Sequence, residues 1–307
     1  MRGISRRQLA LLGIGAPLLS LFSGCRAGLP RWTTSDTGPD ALALLHHSAM
    51  AHGLAAFSAV EDLSVSYSGH WRRLVARLQP ELVDAGFRGG SEERLLIRAG
   101  IIAQAHHGPR GAKQVVSIHR AEQTRSLQVW FNGVPSHDRR QLDAAALVAE
   151  AYALFLLGPM LLVANQAPHR DMQASMAPET DVKQGGRTYP CDVVSLRLAP
   201  GLGNAASDQL AVHIDRTSRL MRRVRMTLNG LESTQGALVD IDTYDHRVVQ
   251  GIVWPTTFHE RLLRPAPLDV HAWRLTGLDI NRGLSPAEVS GEVFRDQALP
   301  PATPLLA

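Results

Sequence analysis

In the stretch Leu220-Met-Arg-Arg-Val-Arg-Met-Thr-Leu228, every second residue from Val224 onward is apolar, and the residues between are Arg or Thr. That period of two belongs to a β-strand with one face covered and one face turned to water. Leu220, Val224, Met226 and Leu228 are placed inward, and Arg223, Arg225 and Thr227 toward solvent. Reading outward, the same alternation recurs at Asp192–Leu198, Gln209–Ile214, Ala237–Tyr244, Ile252–Leu263 and Val270–Ile280. Short polar connections separate these runs, so six consecutive strands form an antiparallel meander. A sheet with one solvated and one sheltered face must curve around something apolar.

The something is legible upstream. Asp143-Ala-Ala-Ala-Leu-Val-Ala-Glu-Ala-Tyr-Ala-Leu-Phe-Leu-Leu157 reads as a helix apolar on nearly every side, stopped by Gly158-Pro159. Ala144–Ala164 has the length of a membrane span, but Glu150 lies inside it and Gly158-Pro159 breaks it, which favours a helix buried against the sheet. Before it, Ile97–Gln104, Gln114–His119 and Ser126–Phe131 are strand-like runs separated by the turn-formers Gly108-Pro109 and Asn132-Gly133. Ala41–Phe57 has apolar residues at helical spacing (Leu42, Leu45, Ala49, Ala56), and Leu63–Tyr67 alternates as a strand. The fold class that follows is α+β: a strongly curved antiparallel sheet, an incomplete barrel, with helices covering or plugging its concave face.

The amino terminus reads as an export signal. Arg2, Arg6 and Arg7 precede an uncharged apolar run, Leu9 to Phe22, too short to span a bilayer. Ser5-Arg6-Arg7-Gln8-Leu9 resembles a twin-arginine motif. Leu21-Phe22-Ser23-Gly24-Cys25 resembles a lipobox, so Cys25 is the expected lipidation site. Residues 1–24 form the signal peptide, 25–39 a lipidated flexible linker rich in Gly, Pro, Ser and Thr, and 40–307 a single domain. With the signal removed, the 32 Lys and Arg fall by Arg2, Arg6 and Arg7 to 29, against 28 Asp and Glu. A near-neutral chain gives no electrostatic reason to expect nucleic acid. If Cys25 carries lipid, Cys191 has no partner for a disulfide, and stability rests on the core.

Reactive chemistry finds little support. His46, His47, His52, His106 and His107 lack the spacing of a metal site, and no metal or cofactor is expected. Gly201-Leu-Gly203-Asn-Ala-Ala206 has the form of a dinucleotide fingerprint but lies between two strands, so it reads as a hairpin loop. Nucleophile elbows, zinc-protease helices and phosphate loops do not occur. Cys191 reads as a small buried thiol, and Asp240 and Asp242, on one strand face, as solvent-facing. The chain is read as a non-enzyme.

The strand order, the mid-chain helix and the stretch Tyr244-Asp-His-Arg-Val-Val-Gln-Gly251-Ile-Val-Trp-Pro255 together resemble the LolA/LolB superfamily of periplasmic lipoprotein-carrier and lipid-binding proteins, over roughly residues 54–294. The resemblance implies a half-barrel, lidded by helices, whose apolar interior accepts acyl chains. The expected function is that of a cell-envelope lipoprotein binding a lipid or lipoprotein acyl chain as carrier or receptor. Its location would be the periplasmic face of the outer membrane, with Cys25 as the anchor. The alternative is an envelope sensor of the same fold with a membrane-protein partner. Trp71, Trp130, Phe131, Phe155, Trp254, Phe258 and Trp273 are the residues expected to line the pocket.

Overall fold

A computed structural model describes residues 38–119, 125–164, 171–291, 294 and 300–305. The expected export motif at Arg6 and Arg7, the expected lipidation site Cys25 and all but the end of the linker lie outside the described residues.

The chain enters through helix α1 (Pro39–His52), and Gly53, at φ 97°, turns it into the short α2 (Leu54–Phe57). Strand β1 (Asp62–Trp71) follows, then two short helices, α3 (Arg73–Leu78) and α4 (Pro80–Val83). A meander of β2 (Gly90–Leu96), β3 (Ile101–Gly108), β4 (Gly111–His119), β5 (Arg125–Phe131) and β6 (Val134–Pro135) leads into α5 (Arg139–Val163). The second meander runs β7 (Asp171–Gln184), β8 (Arg187–Ala199), β9 (Asp208–Asp215), β10 (Met221–Thr227) and β11 (Leu238–Tyr244). A hairpin of β12 (Arg247–Val249) and β13 (Ile252–Trp254) precedes β14 (Thr257–Arg264), β15 (Leu268–Ile280) and α6 (Pro286–Ser290).

Thirteen of these strands form one antiparallel sheet in the order β6-β5-β4-β3-β2-β1-β15-β14-β11-β10-β9-β8-β7, with β12 and β13 paired apart from it. The two meanders meet where β1 pairs with β15, so the first and last strands of the domain form its central seam. Strands β6 and β7 are the two edges, β7 accepting at its Ala174 carbonyl a hydrogen bond of 2.9 Å from the Gly38 N–H, and the sheet is not closed into a barrel. This is the expected α+β half-barrel.

Helix α5 fills the concave side. From Ala144 to Met160 every residue of it is buried. Its length and hydropathy would suit a membrane span, but 89% of the apolar window is covered by the protein itself. The expected stop at Gly158 is a break rather than an end: Gly158 takes φ 50°, ψ −129°, and the helix resumes through Pro159 to Val163. Glu150 is held inside by Arg125 at 3.0 Å, His119 at 3.2 Å and the backbone N–H of Gly203 at 3.1 Å. The last bond docks the Gly201–Ala206 loop onto the helix, a hairpin connection between β8 and β9 as expected.

Register explains which residues face inward. Val224, Ile241 and Met226 pair with Val212, Glu260 and Val239 across β9, β14 and β11, and their parity places them on the core side. Arg223, Arg225, Asp240 and Asp242 have the opposite parity, yet they are not solvated as expected. Arg223 lies 2.6 Å from Asp242, Arg225 lies 2.6 Å from Asp240, and Arg261 caps Asp242 at 2.9 Å. Adjacent strands bring the opposite charges face to face, and each side chain covers its neighbour, so Asp240 and Asp242 are only 2% and 3% exposed.

Ile252–Leu263 is likewise not one strand. Pro255 has no N–H for a ladder, and the chain breaks there into β13 and β14. The β12–β13 turn uses Gln250 (φ 50°) and Gly251 (φ 77°), the paired positive φ of a tight hairpin. This is the glycine hairpin read from Tyr244–Pro255.

Candidate functional site

Four of the seven expected pocket residues converge on the concave side of the seam. Trp71 stacks on His271 at 4.0 Å, His271 on Trp273 at 4.5 Å, and Trp273 on Phe258 at 5.0 Å with the rings within 6° of parallel. Tyr152 and Phe155, from α5, close over Trp273 at 5.1 and 6.1 Å. The Tyr152 hydroxyl and the Nδ1 of His271 are hydrogen-bonded at 3.2 Å, and burial holds His271 well below the usual histidine range, so the imidazole is neutral at pH 7. Phe258 is 1% and Trp273 4% exposed. The aromatic ladder is therefore a packed layer, with a small cleft of about 20 Å³ bordered by Trp71, Trp273, His271, Tyr152 and Arg88.

The other three lie elsewhere. Trp130 is on the convex side, covered by Val289 and Phe294. Its neighbour Phe131 faces inward, against Phe87 at 4.9 Å and beneath the Lys113 ammonium. Consecutive strand residues point to opposite faces, so the two cannot share one pocket. Trp254 belongs to the β12–β13 hairpin, where its indole N–H donates to the Val249 carbonyl at 3.3 Å; it and Phe258 stand on different strands.

A larger open space lies beyond the aromatic layer, at the end of the half-barrel covered by α3 and α4. Here a cavity of about 500 Å³ is bounded by Val75, Leu78 and Leu82 from the helices and by Val239, Leu262 and Val270 from the sheet. The Leu228–Ala237 connection forms its remaining wall, with Thr234 held inward by its hydroxyl donating to the Leu228 carbonyl at 2.9 Å. The short helices arise because Pro80 starts α4 immediately after α3, with Gln79 between them outside helical geometry. Val75 and Val83 anchor them by packing on Val270.

On β14 the cavity lining ends at Glu260. The next inward residue, Phe258, already belongs to the aromatic layer. Glu260 makes no hydrogen bond or ion pair among the described residues. Burial pushes its carboxyl up to about 7, against a lowering by the Arg88 guanidinium. Arg88 is itself engaged: it donates to the Leu82 carbonyl at 3.3 Å and lies 5.5 and 5.4 Å over the rings of Trp71 and Tyr152. Neither Glu260 nor Arg88 was singled out in the sequence. Glu260 had a usable signal, a carboxylate at an inward position between Phe258 and Leu262.

Such a site offers apolar walls of the dimensions typical of small-molecule pockets and one carboxyl group that changes charge near neutral pH. Cys191 is remote from it. That thiol is buried on β8, donates to the Tyr189 carbonyl at 3.3 Å, and is pushed up to about 12 by burial.

Solved structures similar in arrangement include a DUF1329 family protein from Desulfovibrio piger, at 12% identity and a TM-score of 0.48, with 84% of this chain and 99% of that one covered. The chain resembles LolA superfamily structures in fold. One is a LolA superfamily protein from Nitrosomonas europaea, at 11% identity and a TM-score of 0.40, covering 84% and 100%. Another is an outer membrane lipoprotein-sorting protein domain from Vibrio parahaemolyticus, at 8% identity and a TM-score of 0.38, covering 83% and 98%. No family model and no curated protein matches the sequence.

Proposed function

We propose that the protein is a cell-envelope lipoprotein, anchored through Cys25, that holds the acyl chain of a lipid or lipoprotein in the cavity beneath α3 and α4. The observation that carries this reading is the cavity of about 500 Å³, with aliphatic side chains from helices and sheet on facing walls and its lining ending at Glu260, one inward step before the aromatic layer. An aliphatic chain entering it leaves water at about 0.8 kcal/mol per methylene, so ten methylenes contribute about 8 kcal/mol before the cost of immobilising the chain. Binding of this kind needs no catalytic group, and the reading assigns none.

The experiment is uptake of a fluorescent long-chain fatty-acyl probe by the purified chain. Ala237 lines the cavity and is half-buried, so Ala237→Trp should fill it without deleting a core side chain. Folding of the variant is checked by circular dichroism. Wild-type uptake that Ala237→Trp abolishes supports the reading. Unchanged uptake in the folded variant, or none by the wild type, removes it.

A further inference from the structure

Helix α3 carries two adjacent stripes that the fold leaves uncovered. Leu74 and Leu78, one turn apart, are 52% and 64% exposed, and beside them Arg73 and Arg77, also one turn apart, are exposed. Leu78 belongs both to the outer surface and to the wall of the cavity, so the leucine stripe stands at its mouth. Across the mouth, the β14–β15 turn presents Arg264, Pro265, Ala266 and Pro267, all exposed. The helix does not bury these leucines inward because its covered face is already occupied by Val75 on Val270.

The charges around this rim are unbalanced. Arg72 is paired with Asp269 at 3.5 Å, and Glu81 with Arg140 at 3.5 Å. The side chains of Arg73, Arg77 and Arg264 make no ion pair or hydrogen bond among the described residues; the acidic groups nearby without a pairing are Glu232, in the loop that walls the cavity, and Glu260, inside it. Exposed leucines bordered by uncompensated arginines have the composition of a surface that seats in the headgroup region of an anionic bilayer, with aliphatic groups at the acyl boundary and guanidinium groups at the phosphates.

We infer that the α3 stripe and the Arg264–Pro267 turn form a membrane-docking lip that sets the cavity mouth against an anionic lipid surface, so that an acyl chain passes between bilayer and cavity without crossing water. The inference rests on the lipid-binding reading above and adds the partner surface and the direction of entry.

The test measures depth at single positions, so that any other attachment to the membrane cannot imitate it. In the full chain carrying Cys25→Ser, one nitroxide label is placed at Leu74→Cys, Leu78→Cys or Met50→Cys. Met50 is comparably exposed, on α1, and Cys191 is buried, its thiol pushed up to about 12 by burial. Accessibility to oxygen and to a water-soluble nickel complex is read on vesicles of phosphatidylcholine with or without phosphatidylglycerol.

The expected result is bilayer immersion at 74 and 78 but not at 50, dependent on phosphatidylglycerol. Arg73→Gln with Arg77→Gln should reduce the immersed fraction on the order of tenfold, since each basic residue near an anionic surface is worth several-fold in partition. Labels at 74 and 78 that stay in water, or that report the same depth as 50, overturn the lip and favour a protein occupant instead. If the lip fails while the fatty-acyl probe still binds, the cavity reading stands alone. If docking occurs without uptake, that reading is the one that falls.

Discussion

Replacing Glu260 with Gln isolates the one carboxyl group that lines the cavity. Its carboxyl is raised from an ordinary 4.5 to about 7, so the folded protein holds the proton more tightly than the unfolded chain. The sign follows from that difference. Below about pH 4.5 both states are protonated and no penalty exists. As pH rises toward 7 the unfolded chain ionises freely while the folded one resists, and stability falls until the penalty is complete above 7. At about 1.4 kcal/mol per pH unit the raised value corresponds to about 3 kcal/mol, and the half-buried setting brings the working figure nearer 2 kcal/mol. Glu260→Gln should therefore raise stability by about 2 kcal/mol at pH 8 and change it little at pH 4.5. Urea unfolding midpoints from pH 4.5 to 8.5 measure this directly, with Glu93, also raised to about 7 by burial, contributing equally to both proteins. The fatty-acyl probe should bind the variant more tightly at pH 8 only, because the wild type must there receive an apolar chain beside a carboxylate. Parallel pH profiles for wild type and variant would refute the reasoning, since Glu260 would then be as solvated folded as unfolded.

Three further outcomes are expected. Cys25→Ala should abolish incorporation of a fatty-acid analogue with its circular dichroism unchanged, leaving only the reversible attachment through the α3 lip; equal labelling of both proteins would remove Cys25 as the anchor. Asp242→Ala leaves Arg223, 7% exposed, with Asp240 alone at 3.2 Å and strips Arg261 of its 2.9 Å partner, at a cost of about 2 kcal/mol in chemical denaturation. Gly158→Ala puts a side chain on φ 50°, ψ −129° and a Cβ 2.8 Å from the Met221 methyl. Its cost should be about 2 kcal/mol in the same assay, and a neutral result would mean that α5 straightens through the break.

What the sequence disclosed and what it withheld divide along one line. Information carried by a single strand or helix was legible: the parity of Val224 and Met226, the all-round apolarity of α5 and the glycine hairpin at Gly251. Information created by the register between strands was not. The solvent assignment of Arg223, Arg225, Asp240 and Asp242 was sound for each strand alone and failed because β10 pairs with β11 so that opposite charges coincide. Which of the seven aromatics border open space also depends on packing between elements: Trp71 and Trp273 edge a small cleft, and none of the seven lines the larger cavity. Large aromatics mark where a sheet is filled as readily as where it is vacant, and Phe258 and Trp273 fill it. Trp130 and Phe131 could have been separated beforehand, since strand geometry forbids both from facing inward.

The cavity's position follows from the same topology. Its walls come from residues 75–82, 228–239 and 260–270, segments brought together only when β1 pairs with β15 at the seam. Helices α3 and α4 occupy the connection between β1 and β2, so their anchor is the seam strand itself: the Arg72 N–H donates to the Val270 carbonyl at 3.0 Å, and Val75 and Val83 pack on the same residue. These short helices bury Val75, Leu82 and Val83 and expose Leu74 and Leu78. The lid they form is tied on its other side too: Gln79, between the two helices, donates to the Ser233 carbonyl at 3.1 Å and accepts from the Ser233 hydroxyl at 2.6 Å, and Glu81 pairs with Arg140 at 3.5 Å.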